Sequence, residues 1–162
     1  SLGLVGSEMC IRDRSTYDAI ISVGDSLNYL TDERDFEAAI KSTYDHLNPG
    51  GIFIFDLNTE YKFKNIPPVT VDEVDDVLYI WENIYDEEEK LNTYGVNFFR
   101  NIKDNDYRRF YEEHLERAYD LSFVKNLLEK TGFKDLEVYD DYEFKEAGDE
   151  TSRYTLVARK FL

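Results

Sequence analysis

The chain has 162 residues, a one-domain length able to bury a core, and its 42% hydrophobic content excludes a wholly disordered protein. Against 19 Lys and Arg stand 35 Asp and Glu, and the formal charge of −16 argues against non-specific attraction to nucleic acid or an anionic membrane. No apolar run approaches the ~18 residues that span a bilayer, and one cysteine, Cys10, with two histidines provides neither an internal disulfide nor a structural zinc site of the usual kind, so a reducing, cytoplasmic setting without a resident metal is expected.

Residues 1–14, SLGLVGSEMCIRDR, show no helical or strand period and no basic leader. They read as a translated sequencing-adapter artefact or an irregular terminus, and they carry no assigned chemistry. From Tyr17 the pattern becomes regular. Ala19, Ile20, Ile21 and Val23 form a nearly continuous apolar run, which predicts a strand buried on both faces. Thr31 or Asp32 can cap a helix whose apolar positions Phe36, Ala39, Ile40, Thr43 and Leu47 make one stripe. Asn48-Pro49-Gly50-Gly51 ends it, and Ile52 to Leu57 reads as a second buried strand. Strand, helix and strand make a βαβ unit, in which the two strands run parallel and a ligand edge lies at their carboxyl ends.

Past Pro67-Pro68 the chain is rich in Tyr, Phe and charge. Turn-like DEEEK and KDND breaks predict a three-stranded antiparallel meander over residues 77–85, 90–101 and 107–118. Asp120 then caps a helix carrying Leu121, Val124, Leu127 and Leu128, closed by Gly132 with Phe133 packing back. Leu136 to Phe144 and Arg153 to Arg159 are expected to pair as an antiparallel hairpin.

In this order, YDAIISVGDSLNYL, a helix, LNPGGIFIFDLN, an aromatic insertion, a helix ending in TGF and a final hairpin resemble class I S-adenosylmethionine-dependent methyltransferases from their fourth strand onward. The resemblance spans residues 17–162. It implies an α/β fold, a partial Rossmann-like methyltransferase sheet of family strands four to seven, lying side by side in the order four, five, seven, six. Residues 15–60 and 120–162 would form the core, and residues 61–119 an inserted antiparallel β lid. Family members place a glycine-rich turn after their first strand, ahead of the segment matched here, and Gly3 and Gly6 do not make that turn. The expectation is therefore a truncated fragment, inactive as it stands, of an enzyme that methylates a small molecule with S-adenosylmethionine. Its exposed first strand would favour self-association. A rival reading is a non-enzymatic module that adds this strand edge to a partner's sheet.

The resemblance sets Val23, Gly24, Asp25, Ser26 and Leu27 beside the methionine end of the cofactor, although Asp25 and Ser26 also suit a plain turn. Asn28, Tyr29, Asn58, Trp81 and Arg117 are the candidate substrate contacts, and Asp56 faces the same crevice if the strands are parallel. His114 is the candidate base, because His takes a proton near neutrality. Strand alternation divides Arg109, Glu113 and Arg117 from Phe110, His114 and Glu116. Trp81, Tyr85, Tyr94, Phe98, Phe99 and Tyr111 can line an aromatic wall or simply pack a sheet, and Asp86 to Glu89 reads as a solvated hairpin tip.

Overall fold

The computed structural model describes residues 15–104 and 106–161, so the reading of residues 1–14 lies outside it. Strand β1 (Tyr17–Ser22) is followed by a single 3-10 turn (Ser26–Tyr29), helix α1 (Glu33–His46) and strand β2 (Leu47–Asn58). The Asp32 carboxylate accepts the Arg34 N–H at 2.9 Å, which caps α1 as expected. β1 and β2 are parallel, with Ala19 opposite Ile52 and Ser22 opposite Phe55. Between Tyr17↔Leu47 and Ala19↔Ile52 the register jumps, so residues 48–51 loop out as the anticipated turn although they lie within β2.

Helix α2 (Glu60–Asn65) and strand β3 (Val69–Val74) follow, both unanticipated. The Thr59 hydroxyl caps α2 by accepting the Lys62 N–H at 3.1 Å and donates to the Thr151 carbonyl at 2.7 Å. Strands β4 (Val77–Asp86), β5 (Leu91–Lys103) and β6 (Asp106–Arg117) continue antiparallel from β3. The meander therefore has four strands rather than three. Val69–Val74 escaped notice because all six residues are exposed and show no inward face.

Helix α3 (Leu121–Thr131) ends at Gly132, whose φ of +115° is the left-handed cap expected there. Asp120, predicted to cap its start, instead gives its carboxylate to the Lys90 ammonium at 2.6 Å. Strands β7 (Phe133–Asp140) and β8 (Arg153–Lys160) complete the first sheet in the order β1-β2-β8-β7. β7 ends four residues before Phe144, which is solvent-exposed. This sheet order is the one the resemblance implies for family strands four, five, seven and six.

The main core forms where Phe36 and Ile40 of α1 and Val124 and Leu128 of α3 meet Phe53, Phe55 and Leu57 of β2 and Leu156 of β8. β1 departs from expectation. Among the described residues it pairs with β2 alone, and although Ile20 packs on the core, Ile21 is 63% exposed. The strand lies at a sheet edge and is not buried on both faces. A smaller cluster of Phe63, Tyr94 and Ala118 fastens α2 to the second sheet.

Candidate functional site

Because β1 and β2 run parallel, both carboxyl ends open at one edge, where β6 and α2 also arrive. After β1 the chain turns sharply at Gly24 (φ +74°) and Asp25 (φ +54°). A left-handed Asp is uncommon, and its conformation is fixed from below. The buried Asp56 carboxylate accepts the N–H groups of Gly24 at 2.9 Å and Asp25 at 2.8 Å. It also accepts the Tyr142 hydroxyl and lies 3.6 Å from Arg153 Nη1. Asp56 thus holds the loop from beneath, and its oxygens are committed to that task. Ser26 closes the turn by donating its hydroxyl to the Val23 carbonyl at 2.9 Å, and Leu27 packs on the core.

Asn28 is fully buried. Its Nδ2 donates to the carbonyls of Asn58 (3.0 Å) and Arg117 (2.8 Å), and its Oδ1 accepts the Asn58 N–H at 2.9 Å. These bonds use the side chain as a brace between the loop, β2 and β6. Asn58 is equally engaged. Its Nδ2 donates to Asp25 Oδ2 at 2.8 Å and to Glu116 Oε2 at 2.9 Å, while its Oδ1 accepts the Lys62 ammonium at 2.8 Å.

Tyr29 and His114 meet at the open side of this knot. The hydroxyl and Nδ1 share a hydrogen bond of 3.1 Å, and the rings stand edge to face at 5.9 Å. Burial, followed by the charges of Glu116 and Asp25, raises the Tyr29 pKa and keeps its phenol protonated. Glu112 lies 3.7 Å from His114 Nε2. Trp81 is on the same sheet face, edge-on to Tyr94 at 5.4 Å, but two positions farther along the meander. Arg117 projects from the opposite face of β6, where Nε donates to the Thr31 carbonyl at 2.6 Å and Nη1 lies 3.8 Å from Glu33. The fold therefore brings Asp25, Asn28, Asn58, Tyr29 and His114 together and leaves Arg117 outside.

Sequence reasoning missed Glu116, Lys62 and Arg153. Glu116 is 1% exposed, and burial pushes its carboxyl up to about 7, with the Asn58 hydrogen bond opposing and the Asp25 charge adding to the rise. Lys62 is lowered, first by burial and then by the Arg153 charge. One signal for Glu116 was available: alternation already placed it on the His114 face, two residues on. Lys62 was hidden because the helix that carries it is only six residues long.

No protein-family model matches the chain. YqeM of Bacillus subtilis, provisionally named a methyltransferase, is 29% identical over 146 residues, which cover 89% of this chain and 59% of YqeM. An S-adenosylmethionine-dependent methyltransferase from Clostridium acetobutylicum superposes with a TM-score of 0.81 at 31% identity, covering 91% of this chain and 60% of that one. CalS10, an amino pentose methyltransferase from Micromonospora echinaspora, shares the fold at a TM-score of 0.71 and 15% identity, covering 90% of this chain and 59% of CalS10. The chain spans about 60% of the length of the relatives it matches. Sheet order, the strand-end loop and these likenesses agree, and over 91% of its length the chain is similar to part of an S-adenosylmethionine-dependent methyltransferase.

Proposed function

We propose that the chain is the acceptor-side part of an enzyme that transfers a methyl group from S-adenosylmethionine to a small molecule. The observation that carries this reading is the braced loop at the carboxyl ends of two parallel strands, with Tyr29 and His114 opening beside it. The residues present fit the cofactor's methionine end. A Cβ built on Gly24 meets nothing within 4 Å, so the backbone at Gly24 has open ground before it.

S-Adenosylmethionine supplies an electrophilic methyl on a sulfonium. The protein's task is to align the acceptor in line with that methyl, exclude water and remove a proton. In the proposed step the acceptor-carbon bond forms as the sulfur-carbon bond breaks, the bonding pair leaves with sulfur, and the acceptor's proton passes to His114. If Nδ1–H is given to the Tyr29 oxygen, Nε2 is free to accept. The Glu112 carboxylate lies 3.7 Å from Nε2. Trp81 and Tyr94 offer aromatic faces farther along the same side. The acceptor is proposed to be a small molecule in a cytoplasmic setting, with the acidic composition arguing against a nucleic-acid partner or an anionic membrane surface. Residues 61–119 act in this reading as a lid on the core formed by residues 15–60 and 120–162.

The 162-residue chain alone is proposed to be inactive, because no glycine-rich strand-to-helix turn occurs among its described residues. Calorimetry should detect no micromolar S-adenosylmethionine binding to it, and a saturable micromolar isotherm would refute that part. A chimera supplying the unmatched part of the Clostridium acetobutylicum enzyme to residues 15–161 is expected to bind the cofactor. In the chimera H114A should lower kcat by roughly 100-fold. Unchanged turnover in H114A would remove the base from this mechanism.

A second reading, association through the β1 edge, is favoured by one observation. Ile21 of β1 and Val23 just after it are 63% and 48% exposed, and among the described residues β1 pairs along one side.

A further inference from the structure

The Asn58 side chain is the crossing point of loop, helix and lid strand. Its one amide nitrogen donates to two acceptors, Asp25 Oδ2 at 2.8 Å and Glu116 Oε2 at 2.9 Å, and the two carboxyl groups lie within hydrogen-bonding reach of each other. Glu116 is almost wholly out of water. Two ionised carboxylates in that position would repel each other in a medium that screens poorly.

The surroundings do little to relieve this. The Lys62 ammonium of α2 donates to Asn58 Oδ1, and its charge offsets only part of the rise at Glu116. Arg153 of β8 donates to Tyr142 and Asn58 and lies beside Asp56. Among the described residues no Lys or Arg nitrogen lies within 4.0 Å of a Glu116 oxygen. Asn92, directly opposite Glu116 on β5, has both amide atoms buried without a partner, so it lends the carboxylate no N–H. The other titratable groups facing the pair are the phenols of Tyr29 and Tyr94, both raised first by burial. His114 sits two residues back on the same face, bonded to Tyr29, and Asp141 acts only through the field at Lys62. Every group is satisfied if one hydrogen lies between the two carboxyls.

We propose that Glu116 is a positioning residue that, as a neutral acid, accepts from Asn58 and donates to Asp25, so clasping the Gly24–Tyr29 loop to the lid strand β6. The importance of the clasp rests on the proposed role of that loop, but the clasp itself is a property of the 162-residue chain. No residue in it needs to touch substrate. Ionisation of Glu116 would loosen the loop, and the site would be assembled only where the hydrogen is retained.

The test is an NMR titration of the isotopically labelled 162-residue chain, following the Asn28 and Asn58 side-chain amides and the Gly24 and Asp25 backbone amides. In the wild type they should shift together with one midpoint near neutrality, and exchange at Gly24 and Asp25 should rise about tenfold above it. Gln at position 116 reproduces the neutral acid, with an oxygen that accepts and an N–H that donates. E116Q should therefore hold the low-pH positions throughout. D25N, which removes the like charge, should move the midpoint downward. An identical titration in E116Q would assign the event to His114 and overturn the proposal, as would a wild type that does not titrate. None of these readouts depends on methyl transfer, so an intact clasp in a catalytically dead chimera would count against the function alone.

Discussion

Asp56 and Glu116 are both buried carboxyls near one crevice, yet they have opposite surroundings. Asp56 receives two backbone N–H groups and a hydroxyl with a guanidinium nearby, whereas Glu116 receives one side-chain amide and faces another acid. Removing the Asp56 acceptor would strand two loop N–H groups and leave Arg153 without its neighbouring charge. Asp56→Ala should therefore cost about 3 kcal/mol, read as a lower urea midpoint at an unchanged m-value. For Glu116 the sign follows from proton uptake. The folded chain binds its proton up to about 7, while the unfolded chain releases it near the ordinary 4.5. Between those values the folded state holds the extra proton, so this contribution to stability is complete below the lower value and lost as pH rises through the upper one. The loss at alkaline pH amounts to at most about 3 kcal/mol. Urea unfolding of wild type and E116Q at both ends of that window should show the variant gaining at the higher pH. Parallel curves would mean that Glu116 titrates alike in both states.

At the scale of elements, the legible features were those with a strong local rule. Asp32 capping α1, the Asn48–Gly51 turn and Gly132 closing α3 all follow from chemistry confined to a few residues. β3 lacked a rule to follow, since an exposed edge strand of a meander needs no apolar alternation. Asp120 failed as a cap because a nonlocal partner, Lys90, competes for its carboxylate. The site divides in the same way. Tyr29 and His114 were each visible as candidates, but their contact and the burial of Glu116 depend on how β6 crosses the loop after β1. Gly132 allows a direct test of the local rule. A Cβ there would meet the Tyr44 hydroxyl at 2.8 Å, and the positive φ is unfavourable for any L side chain. Gly132→Ala should cost about 2 kcal/mol and lower Tm by roughly 4–8 °C in a thermal melt. An unchanged Tm would mean that Tyr44 and the cap relax without penalty.

At the scale of the whole molecule, the two sheets present different surfaces. Among the described residues the meander ends in β3, a six-residue strand carrying Asp72 and Glu73, and in β6, a twelve-residue strand charged along much of its length, a composition that discourages pairing at the β6 edge. The first sheet ends in β1, a short strand in which Ile21 and the following Val23 stand open to solvent. Among the described residues no second strand pairs with it, and its exposed apolar side chains would gain from being covered. In the relatives the matched segment is about 60% of a longer chain. The proposed association therefore concerns the 162-residue chain in isolation. It predicts a concentration-dependent increase in mass by size-exclusion chromatography with light scattering. A charge at the exposed position, Ile21→Lys, should shift that equilibrium toward monomer by about tenfold while leaving the melting curve nearly unchanged, because Ile21 contributes little to the core. A wild-type chain that stays monomeric at high concentration would rule out the β1 edge as an adhesive surface, and association that persists in Ile21→Lys would locate the contact elsewhere.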